Sequence, residues 1–146
     1  MSRVTLSPLP VGSYDVFQLA LDAARLPTDD LMEADRQFFE LSDEAGPIGF
    51  IGLEGTGADR LLRSLVVLPS RKCQRYGGLL VAHVETFARQ EGVERLHLLT
   101  QTVPDFFRLR GYRPAERGSA PSAIKATAQF SAVCPASASY LVKDIA

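Results

Sequence analysis

The chain contains 146 residues, which is the length of one typical domain. Hydrophobic residues make up 46% of it and charged residues 23%, a composition that excludes a disordered chain, a collagen-like repeat and a disulfide scaffold. Sixteen basic and seventeen acidic residues leave a formal net charge of −1, so no overall basic field exists to attract nucleic acid or anionic lipid.

The first predicted elements are a short strand and an amphipathic helix. Residues 3–6 alternate in the manner of a strand. Ser13 can cap a helix over residues 14–26, where apolar side chains recur at helical spacing until Pro27 stops the helix. Residues 28–31 predict one short helical turn.

An antiparallel meander follows. Residues 36–42 and 47–54 predict two strands joined by a turn, and the second strand has glycines where backbones can pack closely. After a turn at residues 55–59, the apolar run 60–68 predicts a strand buried on both faces, hence one at the centre of the sheet.

The second half of the chain predicts one parallel crossover and then shorter elements. A helix over residues 76–91, capped by Gly92, leads to a strand at 94–100. Further elements are a short helix at 104–110, a helical turn at 119–126 and a strand at 139–143. The fold class is therefore α+β, a mixed and mostly antiparallel sheet in a single domain over residues 1–146.

Several classes of protein and site are excluded. No apolar run approaches the ~20 residues of a membrane helix, and the N-terminus has no long apolar core of a secretory signal. Cys73 and Cys134 form no disulfide framework and no Cys-x-x-Cys pair, and the two histidines lie far apart. We expect a reduced cytoplasmic protein with no metal and no membrane partner.

The loop between the central strand and the next helix is the best candidate for chemistry. Free N–H groups of a first helical turn, together with the helix dipole, bind anions. Lys72 and Arg75 add positive charge there. Two interpretations stay open, a cradle for a pyrophosphate and a solvated basic loop between two packed elements.

This segment resembles the acetyl-CoA-binding segment of the GNAT acyltransferases. Residues 67–80, VLPSRKCQRYGGLL, resemble a segment that has in that family the form V-x-P, then [Q/R]-x-x-G-x-[G/A], then a helix. Leu96–Thr100 and Phe106–Tyr112 are similar to a later strand of that family and to its F-Y-x-x-x-G-[F/Y] helix. The resemblance implies a GNAT fold and acetyl-CoA as cosubstrate, with no metal.

A closer resemblance extends over most of the chain. Residues 26–31, 120–127 and 134–138 are similar to the small GNAT proteins associated with arsenic-resistance operons. Residues 99–102 with Phe106-Phe107 are similar to amino-acid acetyltransferases of the N-acetylglutamate synthase kind. This implies an N-acetyltransferase whose substrate, a small amino-acid-like amine, attacks the thioester directly. Members of the family often form homodimers, although no segment here identifies an interface.

The resemblance implies a set of cofactor-binding residues. The backbone of the central strand at Leu65, Val66 and Val67 is expected to hold the pantetheine and the thioester oxygen. The loop and first helical turn are expected to hold the phosphates through Lys72, Cys73, Gln74, Arg75, Tyr76, Gly77 and Gly78. Phe107 is expected to lie near the cofactor as well.

Three positions depart from the family pattern, and one of them is Cys73, which stands where related sequences often carry glycine. Arg75 stands where the pattern has glycine, and its side chain either blocks the phosphates or binds them through its guanidinium. Phe107 stands where many members have a tyrosine as general acid, and phenylalanine has no proton to give. The departures at Arg75 and Phe107 motivate the alternative function, a catalytically impaired binding or interaction module.

Catalytic candidates are Glu54, Ser64 and Thr100. Glu54 could act as a base through water, and its competing interpretation is a carboxylate on a surface turn. Ser64 lies inside the central strand, where neighbouring positions face opposite sides. Thr100 ends the strand near the expected acceptor site, and simple strand-end capping is its alternative.

Substrate-binding candidates are Arg63, Thr102, Lys125 and Cys134. Arg63 either clamps a substrate carboxylate or forms an internal ion pair, and the sequence favours neither. Lys125 could meet an acidic group or be solvated, and Cys134 could be a nucleophile or a buried thiol. His83 and His97 are predicted as packed structural histidines.

Overall fold

The structure is a computed structural model that describes residues 3–26, 28, 30–72, 74–127, 129–130 and 138–146. Its strands are β1 (Thr5–Pro8), β2 (Arg36–Asp43), β3 (Gly46–Glu54), β4 (Asp59–Val67), β5 (Arg95–Thr100), β6 (Arg113–Pro114) and β7 (Ser139–Asp144). Its α-helices are α1 (Tyr14–Ala23), α2 (Gln74–Gln90), α3 (Pro104–Arg108) and α4 (Ser122–Lys125). Three short 3₁₀ turns lie at Val11–Ser13, Pro69–Arg71 and Arg117–Ser119.

The strands form one seven-stranded sheet in the order β1-β2-β3-β4-β5-β7-β6. Every neighbouring pair is antiparallel except β4 and β5, which α2 connects. The predicted α+β class, the meander, the central position of β4 and the parallel crossover are all confirmed.

The structure corrects several bounds predicted from the sequence, including the ends of α3 and α4, and adds one strand. The first strand lies at Thr5–Pro8 rather than at residues 3–6, and α2 begins two residues earlier than predicted, at Gln74. The first helix ends at Ala23 rather than at residue 26, because Arg25 has φ 58, outside the right-handed helical region. The two-residue strand β6 was not predicted, since a pattern that short carries no periodicity.

The sheet carries apolar packing on both faces. On one face, α2 and α3 pack against the sheet through residues such as Leu80, Val84 and Phe107. On the other, α1 packs through Phe17 and Leu21 against a group of sheet residues that includes Phe38 and Phe50. A third, smaller cluster includes Leu61, Ala120, Ile124 and Tyr140.

The centre of the sheet requires one glycine for close backbone approach. A Cβ on Gly49 would collide with the carbonyl oxygen of Val66, a backbone atom that cannot turn away. The prediction that glycines in β3 allow close packing is therefore confirmed at this position. That contact lies beside the irregular part of β4, where the functional site begins.

Candidate active site

The site is a cleft between the two parallel strands. β4 and β5 pair only at Asp59↔Arg95, Arg60↔Leu96 and Leu61↔His97. Beyond Leu61 they form no further pairs, and a cavity of about 770 Å³ lies between them. The described residues that line it are Ala24, Arg25, Leu26, Leu62, Arg63, Ser64, Leu65, Leu98, Leu99, Thr100, Gln101, Thr102, Val103, Phe107, Gln129 and Ala138.

A β-bulge in β4 forms one wall of this cavity. Gly52 pairs with Arg63 and Phe50 with Val66, so Ile51 alone faces both Ser64 and Leu65. Ser64 has φ 60, a left-handed conformation that is rare for a non-glycine residue. The bulge interrupts the ladder to β3 at a point where β4 also has no partner in β5. Backbone groups of β4 are therefore free to bind an extended ligand at the cavity wall.

Arg63 lies at the centre of a buried ion cluster beside the cavity. Its Nη1 donates to Asp30 Oδ2 and to Glu54 Oε1, each at 2.7 Å, and its Nη2 donates to Asp30 Oδ1 at 2.7 Å. Arg36 also contacts Asp30 and Glu54, at 2.9 and 3.3 Å. With its amide oxygen turned inward, Gln129 accepts from Nε and Nη2 of Arg63 at 3.0 and 3.2 Å. The sequence left two interpretations of Arg63 open, a clamp for a substrate carboxylate and an internal ion pair. The geometry matches the internal ion pair.

The charges of the cluster stabilise one another. Hydrogen bonding from Arg63 is the largest cause that lowers the pKa of Asp30 to about 2; burial opposes it, and Arg36 adds to it. Burial alone would lower the pKa of Arg63, but hydrogen bonds and charges from Asp30 and Glu54 more than offset it and raise that pKa. Asp30 and Arg63 therefore remain ionised at neutral pH.

Glu54 is not on a surface turn, so that interpretation is wrong. Its side chain is buried and ion-paired to Arg63 and Arg36, and it is not among the residues that line the cavity. A direct hydrogen bond from a molecule in the cavity to the Glu54 carboxylate has no support in this arrangement. Glu54 instead touches the cavity wall through Arg63.

Hydroxyl groups line the cavity on both strands. The Ser64 oxygen accepts from Arg63 Nε at 3.2 Å, and the Thr100 oxygen accepts from the Val103 N–H at 3.2 Å. Each hydroxyl therefore keeps its own hydrogen available for donation. Thr102 also lines the cavity and is exposed. The capping interpretation of Thr100 matches its bond to Val103, and this bond does not preclude a second role.

The expected phosphate site lies at the start of α2. Arg75 and Lys72 are exposed, and Arg75 is not among the cavity-lining residues, so its side chain does not plug the cavity. Arg71 is ion-paired with Asp43 and lies over the ring of Tyr76. Gly77 faces the Phe106 ring, which a Cβ would approach to 3.2 Å.

The other predicted residues lie in several different places. Phe107 lines the cavity and is 5% exposed, in edge contact with Phe106 and Tyr112. Leu65 lines the cavity, whereas Val66 packs with the α1 cluster. Lys125 is exposed on α4 and does not line the cavity. Cys73 and Cys134 lie outside the described residues.

The two histidines differ in burial. His97 is 2% exposed; its Nδ1 lies 2.7 Å from the Tyr140 hydroxyl and its Nε2 lies 2.7 Å from Asp59 Oδ1. His83 is only half-buried, so the prediction of a packed core histidine is too strong for it.

The sequence did not single out four residues that build the site: Arg25, Asp30, Arg36 and Gln129. Asp30 lies 33 positions from Arg63, and no local spacing links the two. The left-handed position of Arg25 could not be predicted from the sequence, because the left-handed residue at a helix terminus is usually a glycine.

Three features together define an acyltransferase-type fold. The central strand β4 has a bulge, its parallel neighbour β5 diverges from it, and α2 starts where β4 ends. The profile of the family described as "Acetyltransferase (GNAT) domain" matches residues 34–114, more than half of the chain. The chain therefore belongs to the GNAT acetyltransferase family.

Solved structures share this fold at low sequence identity. An N-acetylglutamate synthase from Neisseria gonorrhoeae, complexed with coenzyme A and N-acetyl-glutamate, is 18% identical with a TM-score of 0.81 over 100% of this chain and 36% of its own. A GNAT acetyltransferase from Staphylococcus aureus Mu50 is 13% identical, with a TM-score of 0.78 over 99% of this chain and 100% of its own. A GNAT acetyltransferase from Elizabethkingia anophelis with acetyl-CoA bound is 15% identical, with a TM-score of 0.67 over 97% of each chain.

The present chain spans about a third of the length of the gonococcal synthase. No curated protein matches it significantly. Among the helices of the described residues, none has the length and apolar character required to cross a membrane.

Proposed function

We propose that the protein is an acetyl-CoA-dependent N-acetyltransferase that acts on the amine of a small, amino-acid-like metabolite. The observation that carries the proposal is the cavity between β4 and β5, next to the bulge at Ser64, in a chain of the GNAT family. The cavity is large enough for the reacting ends of two small ligands.

The residues fit acetyl-CoA in two respects. The unpaired part of β4 after Leu61 offers backbone groups to which a pantetheine arm can add as an extra strand. The first turn of α2 offers free N–H groups and the positive end of a 17-residue helix dipole for the phosphates. When bound, acetyl-CoA supplies an activated acetyl thioester. Arg75, exposed in the first turn of α2, is a candidate partner that would hold its phosphates.

The chain's own contribution to the reaction is positioning and hydrogen-bond donation. The acceptor nitrogen attacks the thioester carbon, the C–S bond breaks, and the excess proton on the nitrogen leaves to water. The Ser64 and Thr100 hydroxyls, or backbone N–H groups of the bulge, can donate to the oxygen on which negative charge develops. Phe107 donates no proton, so the thiolate leaves as such, which its ordinary pKa of roughly 8.5 permits.

The arrangement suggests a positioning role for Glu54. It fixes Arg63, and Arg63 in turn holds the Ser64 hydroxyl at the cavity wall. Proton removal from the acceptor then falls to water rather than to Glu54.

Support for a small acceptor comes from the lining and from a relative. The cavity lining is mostly neutral and includes hydroxyl and amide groups. The gonococcal synthase of similar fold is complexed with N-acetyl-glutamate, an acetylated amino acid. The sequence similarity of residues 26–31 and 120–127 also supports membership of the arsenic-resistance-associated subgroup. A cytoplasmic location and a homodimer remain parts of the proposal.

A thiol-release assay tests the proposal. Purified protein is mixed with acetyl-CoA and a panel of amino acids, amino-acid amides, polyamines and aminoglycosides, and free CoA is measured. We expect turnover with at least one amino-acid-like amine. Leu65→Trp, which fills the cavity, should lower that turnover at least tenfold, whereas Leu19→Trp on the exposed face of α1 should not. Absence of turnover with every acceptor, in a folded protein, contradicts the proposal.

A further inference from the structure

Among the described residues, two arginines line the cavity, and one of them, Arg63, already has ion-pair partners. The Arg63 guanidinium is buried and bonded to Asp30, Glu54 and Ser64. The Arg25 side chain is exposed at the cavity wall. Among the described residues, no carboxylate lies within ion-pair distance of Arg25 and its side chain makes no hydrogen bond. Among the described residues that line this cavity, Arg25 is therefore the cation with free donors.

The backbone of Arg25 is held in an unfavourable conformation. Its N–H bonds to the Asp22 oxygen at 3.1 Å, and the Leu26 N–H bonds to the Leu21 oxygen at 2.9 Å. These two bonds form a Schellman motif at the end of α1, with Arg25 at the left-handed position, φ 58. Glycine is the usual residue there, so an arginine lowers stability. Backbone strain of this kind, at a residue that lines a cavity, points to a function for the side chain.

The charge of the cavity lining is one-sided. Its ionisable side chains, among the described residues, are Arg25 and Arg63, and neither Asp nor Glu is present in the lining. The charge of Arg63 is balanced by Asp30 and Glu54, whereas no carboxylate of the described residues balances that of Arg25. The field in the part of the cavity next to Arg25 therefore favours a carboxylate and disfavours a second ammonium group on the acceptor.

We propose that Arg25 determines acceptor specificity by binding a carboxylate of the acceptor. This inference rests on the proposed function and narrows it: the substrate is a carboxylated amine of the amino-acid class, rather than a polyamine or an aminoglycoside. A guanidinium can hold a carboxylate through two parallel hydrogen bonds. Arg25 thus takes the role that the sequence offered to Arg63.

The substitution Arg25→Gly separates this role from a structural one. Glycine relieves the left-handed strain, so the melting temperature should rise. The KM for the preferred amino acid should nevertheless increase about 10- to 100-fold, the loss typical of a hydrogen-bonded ion pair. The KM for the corresponding amino-acid amide, which has no carboxylate, should change less than threefold.

Two matched variants control the experiment. Asp35 is another non-glycine residue with positive φ, 62, and it does not line the cavity. Asp35→Gly should leave KM for the amino acid unchanged. Arg25→Lys keeps the charge without the bidentate geometry, so its KM should lie between those of the native protein and Arg25→Gly.

The outcomes distinguish this inference from the proposed function. If the native protein acetylates amines but Arg25→Gly leaves the KM ratio of amino acid to amide unchanged, the inference is wrong and the function stands. If the native protein acetylates nothing, binding of the same acid and amide pairs is followed through the Arg25 Nε resonance. A shift with the acid alone supports the inference while the function fails, and equal or absent shifts overturn both.

Discussion

Arg63 shows how a single buried charge holds the site wall in place. Its side chain has no exposed surface and is shared by two carboxylates on different parts of the chain. We expect Arg63→Met to lower the free energy of unfolding by about 3–5 kcal/mol, because it leaves Asp30 and Glu54 buried next to each other with only Arg36 for compensation. Urea unfolding measures this difference.

An exposed ion pair provides the control. Arg113 and Asp144 lie 3.3 Å apart, and their side chains are 72% and 65% exposed. Arg113→Met should therefore lower the free energy of unfolding by about 1 kcal/mol at most. If Arg63→Met and Arg113→Met lower the free energy of unfolding by similar amounts, the buried Arg63 cluster contributes no more to stability than an exposed ion pair, which would contradict this prediction.

Asp30 makes stability depend on acidity. Its pKa is about 2 in the folded chain against 3.8 for an unperturbed carboxyl, so the unfolded chain binds the proton more readily. The stabilisation from Asp30 is therefore complete above about pH 4 and lost as the pH falls towards 2. We expect the ¹³C resonance of its carboxyl to titrate with a midpoint near pH 2. A midpoint near 4 would mean that the contacts to Arg63 do not persist in solution.

The residues of this cluster show what the sequence could and could not predict. An arginine within an apolar strand indicated that a carboxylate partner or a ligand must exist, but the sequence did not say which. The partners come from a turn, a neighbouring strand end and a distant segment with Gln129. Such contacts depend on how the elements pack, and no periodicity of the chain encodes them.

At the scale of elements, β3 and β4 depend on the close contact at Gly49. A Cβ there would meet the Val66 carbonyl oxygen and the Val67 Cα, both backbone atoms. Gly49→Ala should lower the free energy of unfolding by about 1–3 kcal/mol, because the two strands must separate.

Gly118 is the matched position for this test. Nothing lies within 4 Å of a Cβ added there, and its φ is not positive. Gly118→Ala should be neutral or slightly stabilising, since it only restricts the unfolded chain. If the two alanine variants melt at the same temperature, the packing of β3 on β4 is looser than the structure indicates.

Most elements could be predicted because their patterns are long. The apolar run of β4, the helical spacing of α2 and the meander of β2 and β3 each extend over eight or more residues. The end of α1 could not, because Arg25 adopts the conformation of a glycine without being one. The bulge in β4 could not be predicted either, since serine is not a residue type that marks a bulge.

At the scale of the whole molecule, the candidate site follows from an interruption in the sheet. β5 pairs with β7 along its whole length, from Arg95↔Asp144 to Thr100↔Ser139, but with β4 over only three residues. β7 therefore pairs with the part of β5 that β4 leaves unpaired. The resemblance of residues 67–80 predicted the family, but the shape of the cavity became apparent only from these pairings. That residues 1–146 form one domain stays a prediction.

The central claim is that the opening between β4 and β5, with the start of α2, receives acetyl-CoA. Titration of ¹⁵N-labelled protein with CoA, followed by amide NMR, tests this directly. We expect the amides of residues 62–67 and 75–78 to shift in a saturable manner, while those of β1 and β2 remain in place. Saturable shifts confined to other parts of the sheet, or none at millimolar CoA, would contradict the account.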